Sequence, residues 1–208
     1  MNIWFASNNL HKKDELAAIF KANNAPFPLK IPKEEGYVFD PDETGSTFLE
    51  NALIKAHELK KILKNKDNIV IADDSGLCVD ALDGRPGVIS AIYGEENGKK
   101  LSSEQQYTLL LDELGSSPIR SARFVCTMVL LLDNDRFYAV QETFEGQILK
   151  KGEIRGTGGF GYDPIFFVPT LNRTLAELTT EEKNTISHRG KAGKFIAEYI
   201  RNLNPCQN

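Results

Sequence analysis

The chain has 208 residues, of which 41% are hydrophobic and 26% charged, a composition ordinary for one soluble domain or two small lobes. No apolar run is long enough to cross a bilayer, and the N-terminus lacks the basic and apolar segments of a signal peptide, so we expect a cytoplasmic protein without a membrane partner. The net charge of −4 argues against nucleic acid as a partner, and a polyanionic ligand would need a few placed cations or a metal.

The spacing of apolar residues predicts helices and strands in a mixed order. In chain order, the predicted elements are a strand at 2–6, a helix within 7–24, a helix at 47–63, a strand beginning at 68, a helix at 102–114, two hairpin strands at 121–132 and 136–149, and a helix following Ser187. A hairpin among helices and strands favours an α/β fold with a mixed sheet over a purely parallel one.

Two helices have predicted ends and predicted buried faces. Thr47 and Glu50 stand in capping-box register at the start of 47–63, and Ser187 is a suitable cap for the last helix. The predicted buried residues of the helix at 47–63 are Leu49, Ala52, Leu53, Ala56, Leu59 and Leu63. Those of the last helix are Ala192, Phe195, Ile196, Tyr199, Ile200 and Leu203.

The cysteines have no predicted function. Cys78 and Cys126 lie in apolar strand segments and Cys206 lies in the tail, and their spacing forms no CxxC motif and no even-numbered framework. We therefore expect reduced thiols without a catalytic role.

The segment from Ser7 to Lys12 lies between the first predicted strand and the first predicted helix. Such a loop offers backbone N–H groups at a helix N-terminus, which suits phosphate. Ser7 and Asn9 can add hydrogen bonds, and Lys12 adds a positive charge. The alternative is a capping turn followed by a surface lysine.

Two acidic segments contain candidate metal ligands. Glu43 precedes the predicted helix, whereas Glu50 is expected to serve as a capping residue. Asp73 and Asp74 come at the predicted end of an apolar strand, where a hard divalent cation such as Mg²⁺ would relieve their repulsion. The alternatives are a solvated loop glutamate and a turn in which Asp73 is a cap.

Residues 156–167 read GTGGFGYDPIFF, which concentrates glycines around one aromatic residue. Glycine permits positive φ and close approach to the backbone. With Gly159 and Gly161 on either side, the Phe160 ring could stack on a planar base, and Asp163 could accept a hydrogen bond from a ring N–H. The alternative is a turn that leads into a buried strand.

Three basic residues, Lys183, His188 and Arg189, are predicted near the start of the last helix. A helix N-terminus favours anions, so cations at this end suggest that an electron-rich group docks there.

Five blocks of the sequence, in this order, resemble the inosine triphosphate pyrophosphatase family of non-canonical purine nucleotide pyrophosphatases. They are SNNLHK, ETGSTFLENALIKA, ADDSGL, GTGGFGYDPIFF and AELTTEEKNTISHRGKA. The resemblance implies cleavage of ITP, dITP and XTP to the monophosphate and pyrophosphate, with Mg²⁺ as the cofactor and Mn²⁺ as its alternative. It also implies one domain spanning 1–208, built of two lobes with a cleft and a long central mixed sheet, and a homodimer.

The resemblance also assigns roles to individual residues. Asp74 would be the general base and a metal ligand, Glu43 the second metal ligand, and Lys55 a catalytic cation. The nucleotide would be bound by Ser7, Asn8, Asn9, Leu10, His11, Lys12, Ser75, Phe160, Gly161, Tyr162, Asp163, Lys183, His188 and Arg189. Lys12, Lys55 and Lys183 would offset the triphosphate charge. A donor from His188 or Arg189 to the 6-oxo group would disfavour ATP, because adenine presents a donor there.

The segment PGVISAIYG at 86–94 departs from the family pattern. Ile89 stands where tyrosine is usual and Ile92 where arginine is usual, so a role of that arginine in substrate binding or in the dimer would be altered here. Two other functions stay open: a pyrophosphatase of the related Maf type acting on pyrimidine or modified nucleotides, and a purine nucleotide sensor that does not hydrolyse its ligand.

Overall fold

The computed structural model describes residues 2–25, 27–63, 67–134 and 136–203. Its helices are α1 Leu10–Ala22, α2 Phe48–Leu63, α3 Ser103–Leu114, α4 Thr180–Ile186 and α5 His188–Leu203. Its strands are β1 Asn2–Phe5, β2 Leu29–Lys30, β3 Asn68–Val79, β4 Ser121–Leu131, β5 Phe137–Ile148, β6 Phe166–Val168 and β7 Arg173–Thr174. No helix within these ranges is long and apolar enough to cross a membrane.

The strands form one sheet in the order β2-β1-β3-β4-β5-β6-β7. β1 is parallel to β2 and β3, whereas β6 is antiparallel to β5 and β7. β4 and β5 are neighbours in this sheet, and the Leu132 N–H that follows β4 donates to the Arg136 carbonyl oxygen that precedes β5. This confirms the predicted α/β fold with a mixed sheet.

The chain divides into two compact units. The described residues of unit 1 lie within Met1–Asp74, Cys126–Glu142 and His188–Asn208, and those of unit 2 within Ser75–Val125 and Thr143–Ser187. The predicted cleft between two lobes stays a prediction.

Unit 1 has apolar clusters on both faces of its strands. Alternate residues of β1 point to opposite faces, so Ile3 and Phe5 pack in one cluster and Trp4 in the other. The first cluster includes side chains of α1 and α5, and the second includes side chains of α2. Because helices cover both faces, β4 is buried on nearly every residue instead of on alternate ones.

Unit 2 is built around a separate apolar cluster. Leu77 and Val79 at the end of β3 pack there with Leu110 and Leu111 of α3. The predicted helix at 102–114 is confirmed as α3, which begins with a capping box at Ser102 and ends at Gly115.

The structure corrects the predicted buried face of α2. The capping box is confirmed, since the Glu50 N–H donates to Thr47 Oγ1 and the Thr47 N–H donates to Glu50 Oε2. Leu49 is 38% exposed, so its predicted burial is wrong, and Leu53 is only partly buried. The polar residues Asn51 and Lys55 are buried instead, because carboxylate and backbone partners compensate their polar groups.

The structure also corrects the predicted buried face of the last helix and the predicted end of the strand that carries Asp73 and Asp74. In α5, Phe195 and Leu203 are exposed, whereas Tyr199 stacks on Tyr138 with ring centroids 4.5 Å apart. Asp73 and Asp74 were expected at a strand end, but β3 continues through both of them to Val79. Cys206 and the turn residue Asp135 lie outside the described residues.

Candidate functional site

The loop before α1 has the predicted strand-to-helix geometry. Asn9 is the N-cap of α1, and its Oδ1 accepts from the Lys12 N–H at 3.3 Å. Ser7 Oγ accepts from the Asn9 N–H at 3.1 Å, and the Asn8 side-chain amide donates to the Phe39 carbonyl oxygen at 2.6 Å. The loop residues from Asn8 to His11 are exposed, so the positive end of α1 is accessible to an anion.

Asp73 is a buried acid held by cations from two helices. Lys12 Nζ of α1 lies 3.1 Å from Asp73 Oδ1, and Arg189 Nη2 of α5 lies 3.2 Å from Asp73 Oδ2. Burial acts to raise the pKa of Asp73, but Lys12, Arg189 and Lys55 outweigh it and hold the pKa well below its usual range. Asp73 therefore stays ionised, and it is not the turn cap that the sequence suggested as an alternative.

Arg189 forms ion pairs with two carboxylates of the same chain. Its side chain is 1% exposed, and Arg189 Nη1 lies 2.7 Å from Glu15 Oε2 in addition to the Asp73 contact. The electron-rich groups expected near this cation are thus carboxylates of unit 1. His188 is buried as well. Lys183 lies in the last turn of α4, the helix that precedes α5 in the chain, and the helix dipole favours a cation there.

Asp74, Lys55 and Glu43 form a second group of charges in unit 1. Lys55 Nζ lies 2.8 Å from Asp74 Oδ1 and 3.0 Å from Glu43 Oε2. The Asn51 side-chain amide donates to Asp74 Oδ2 at 3.3 Å. Lys55 and Asn51 are one helical turn apart on α2, so a single helix face supplies both groups to the carboxylate.

The surroundings of Asp74 raise its pKa. Burial raises the pKa of Asp74 to about 6, the Lys55 ammonium opposes this shift, and the Glu43 carboxylate adds to it. For Lys55, burial acts to lower the pKa, but Asp74, Asp73 and Glu43 outweigh it and raise the pKa. Lys55 is therefore a cation, and Asp74 is an acid that exchanges its proton near neutral pH.

The carboxylates and cations around Asp73 and Asp74 determine whether a metal ion could bind in unit 1. The ion pairs described above join four carboxylates to three cations: Glu15, Glu43, Asp73 and Asp74 with Lys12, Lys55 and Arg189. Within the described ranges, no group of three or more His, Cys, Asp or Glu side chains makes a complete metal site. Two carboxylates that converge on one ammonium group do fit Mg²⁺, which takes one or two carboxylates and completes its shell with waters and phosphates.

The glycine-rich segment of unit 2 presents an aromatic ring beside a buried ion pair. Phe160 is 41% exposed, and Lys183 Nζ lies 4.5 Å from its ring centroid. Lys183 Nζ also lies 2.6 Å from Asp163 Oδ2, which accepts from the Phe160 N–H at 2.8 Å. Gly159 has φ +72°, and a Cβ there would collide with the Asp163 carboxylate, so the loop requires glycine at this position.

The remaining residues of unit 2 that the sequence analysis singled out differ in how far they are buried. Tyr162 is buried, and its hydroxyl donates to the Ser90 carbonyl oxygen at 2.9 Å, so its ring belongs to the core. Ser75 is partly buried on β3. Ile89 and Ile92, which depart from the family pattern, are each 45% exposed, so neither fills the apolar core of unit 2.

Sequence reasoning missed two residues that contact the predicted site residues. Asn51 was overlooked although it interrupts the apolar face of α2, and a buried asparagine on such a face signals a specific hydrogen-bonding role. Glu15 pairs with Arg189 across 174 residues of sequence, and no local pattern indicates that contact.

The chain is similar to known proteins over nearly its whole length. Residues 3–199 match the model of the Ham1 family. The dITP/XTP pyrophosphatase of Treponema denticola is 51% identical over 201 residues, which cover 97% of this chain and 99% of that protein. The dITP/XTP pyrophosphatase of Clostridium perfringens is 40% identical over 203 residues, covering 95% and 96%. The solved structure of the Staphylococcus aureus Ham1 protein matches with a TM-score of 0.83 at 38% identity, covering 98% of this chain and 100% of that one.

Proposed function

The chain belongs to the Ham1 family, and from this premise we propose that it hydrolyses dITP, ITP and XTP to the nucleoside monophosphate and pyrophosphate. The observation that carries the proposal is the convergence of Glu43 and Asp74 on Lys55 in unit 1. It is supported by the names of the relatives from Treponema denticola and Clostridium perfringens.

Glu43 and Asp74 would hold a divalent cation, Mg²⁺ or alternatively Mn²⁺. When bound, this ion supplies positive charge to the phosphate oxygens. The proposal is supported by the charges around the two aspartates of unit 1: Lys12, Lys55 and Arg189 already contact carboxylates, so a triphosphate would bring negative charge that these cations do not offset.

We assign the general base to Asp74. The carboxylate would accept a proton from the attacking water, and a pKa of about 6 places it close to the range in which a base works best at neutral pH. Lys55 fixes one carboxylate oxygen at 2.8 Å and supplies a catalytic positive charge. No covalent nucleophile is needed, because phosphoryl transfer depends mainly on positioning and electrostatic stabilisation.

The phosphates would be bound by the segment from Ser7 to Lys12. Its support is the exposed N-terminus of α1, where the helix dipole and the backbone N–H groups favour an anion. Lys12 would contribute its ammonium group, which Asp73 holds in place at 3.1 Å.

The nucleobase would be recognised by residues of unit 2, namely Ser75 of β3, Phe160, Gly161, Tyr162, Asp163 and Lys183. The exposed Phe160 ring would stack on the base, while Lys183 and Asp163 fix the loop around it. Tyr162 would contribute its backbone, since its ring is buried. His188 remains the proposed donor to the 6-oxo group, whereas the contacts of Arg189 favour a role in holding Asp73.

A pyrophosphate-release assay tests the proposal. It should include ITP, dITP, XTP, GTP, ATP and pyrimidine triphosphates, each with and without Mg²⁺. We expect metal-dependent release from ITP, dITP and XTP far above that from ATP. A preference for pyrimidine triphosphates would favour the Maf-type activity, and calorimetric binding without product would favour a nucleotide sensor.

The assembly is part of the proposal. We propose a cytoplasmic homodimer, as the family resemblance implies. Sedimentation equilibrium of the purified chain tests this, because the monomer mass is 23.2 kDa and a dimer has twice that mass.

A further inference from the structure

Asn51 connects two segments that both supply proposed metal ligands. Its side chain is 2% exposed, its Oδ1 accepts from the Gly45 N–H at 2.7 Å, and its Nδ2 donates to Asp74 Oδ2 at 3.3 Å. Gly45 is two residues from Glu43. A single carboxamide therefore bonds to the loop that carries one carboxylate and directly to the other carboxylate.

We propose that Asn51 is a positioning residue for the metal-binding carboxylates, an inference that rests on the proposed function. The donor on Nδ2 holds Asp74 Oδ2, which turns Asp74 Oδ1 toward Lys55. The acceptor on Oδ1 holds the Gly45 backbone, which keeps Glu43 within 3.0 Å of Lys55. Both carboxylates are then aligned before a cation or a nucleotide arrives.

The packing around Gly45 shows that this contact has a specific shape. A Cβ at Gly45 would lie 2.6 Å from Asn51 Oδ1 and 2.7 Å from Glu50 Cβ, so only glycine allows the backbone to approach this closely. Glu50 also binds the loop, since its Oε2 accepts from the Ser46 N–H at 2.7 Å. Two consecutive residues of α2 thus anchor the segment that follows Glu43.

A purely structural role is the competing interpretation, because a buried asparagine that satisfies a loop N–H also stabilises the fold. The two interpretations predict different effects of substituting Asn51. A positioning residue alters metal affinity and kcat at constant stability, whereas a structural residue alters stability alone.

The test uses the variants Asn51→Leu and Asn51→Asp. Leucine has a similar size and removes both hydrogen bonds, whereas aspartate retains an acceptor for the Gly45 N–H and loses the donor to Asp74. Leu63→Ala is the matched control, because Leu63 is a buried residue of α2 at the end far from Asp74. Thermal unfolding selects a temperature at which all four proteins are folded.

Three measurements are made on each protein: Mn²⁺ binding by electron paramagnetic resonance, hydrogen exchange of the Gly45 amide by NMR, and kcat and KM for ITP. For Asn51→Leu we expect roughly 10- to 100-fold weaker Mn²⁺ binding, a similar loss of kcat, and faster exchange at Gly45, while KM changes little. For Asn51→Asp we expect a protected Gly45 amide and a low kcat. Leu63→Ala should retain Mn²⁺ affinity and kcat.

Unchanged Mn²⁺ affinity and Gly45 exchange in Asn51→Leu would overturn the inference, as would a wild-type kcat in Asn51→Asp. An equal loss of Mn²⁺ affinity in Leu63→Ala would reduce the effect to stability and also overturn it. If the wild-type chain hydrolyses no purine triphosphate, the proposed function fails, but Mn²⁺ binding and amide exchange still decide whether Asn51 positions the carboxylates.

Discussion

At the residue scale, Asp74 lies where several influences on a carboxyl group compete. Burial and Glu43 favour its neutral form, whereas Lys55 favours the carboxylate, and the balance raises its pKa to about 6. The neighbouring Asp73 is even more deeply buried, but with Lys12 and Arg189 as partners it stays ionised. The pKa values of the two adjacent aspartates therefore shift in opposite directions, because the two side chains contact different charged groups.

Asp74→Asn should abolish most of the proposed activity. The amide cannot accept the proton of the attacking water and is a weaker ligand for a divalent cation, so we expect a loss of about 100-fold or more in kcat for ITP. Circular dichroism should show a retained fold. Asp14→Asn on the exposed face of α1 is the control and should retain full activity. Near-normal turnover by Asp74→Asn would remove Asp74 from the mechanism.

The raised pKa of Asp74 also predicts how the stability of the metal-free protein depends on pH. The ordinary pKa of 3.8 is raised to about 6 in the fold, so between these values the native state binds more protons than the unfolded state. The free energy of unfolding should therefore fall as pH rises from about 4 to about 6, by at most about 3 kcal/mol from this group.

Urea unfolding of the metal-free wild type and of Asp74→Asn at several pH values measures this contribution. The difference between the two proteins reports Asp74 together with its interactions with Lys55 and Glu43, since the titrating groups far from this site behave alike in both. Parallel pH profiles would show that Asp74 is ionised throughout.

At the element scale, local features could be predicted from the sequence and long-range charge pairs could not. The capping boxes and the glycine after α3 are encoded within a few neighbouring residues, so the helices α2 and α3 were predicted closely. The continuation of β3 through Asp73 was not, because the compensating cations Lys12 and Arg189 lie 61 and 116 residues away. Phe160, whose flanking glycines suggested a ring that could stack on a base, is 41% exposed.

Gly159→Ala tests the glycine-rich loop as an element. An alanine at φ +72° is strained by about 1–2 kcal/mol, and its Cβ would also displace the carboxylate of Asp163, which lies against it. We expect a larger loss of unfolding free energy than for Gly36→Ala, a control with φ +77° and no atom within 4 Å of the added Cβ.

Guanidinium unfolding of both variants provides the comparison. Equal losses would mean that the Asp163 contact adds nothing to the cost of backbone strain. A larger loss in Gly159→Ala together with a raised KM for ITP would connect the loop conformation to nucleotide binding.

At the scale of the whole molecule, the proposed functions are divided between the two units. The proposed metal ligands, general base, phosphate-binding loop and 6-oxo donor belong to unit 1, whereas the Phe160 ring and its neighbouring ion pair belong to unit 2. A substitution in the segment from Ser7 to Lys12 and one in the glycine-rich loop should therefore weaken the binding of different product molecules.

The affinities of the variants Phe160→Ala and Lys12→Ala for the two reaction products test these assignments. Removing the ring should weaken binding of IMP, the product that carries the base, by the loss of stacking worth about 1–3 kcal/mol, and leave binding of pyrophosphate unchanged. Removing the ammonium group should weaken pyrophosphate binding more than IMP binding, because Lys12 stands at the N-terminus of α1 and Phe160 does not. Isothermal titration calorimetry with each product in turn measures both affinities. If both variants lost affinity for both products equally, the assignment of the nucleobase to Phe160 and of phosphate to Lys12 would be wrong. Unchanged IMP binding in Phe160→Ala would show that the ring belongs to a turn that binds no ligand.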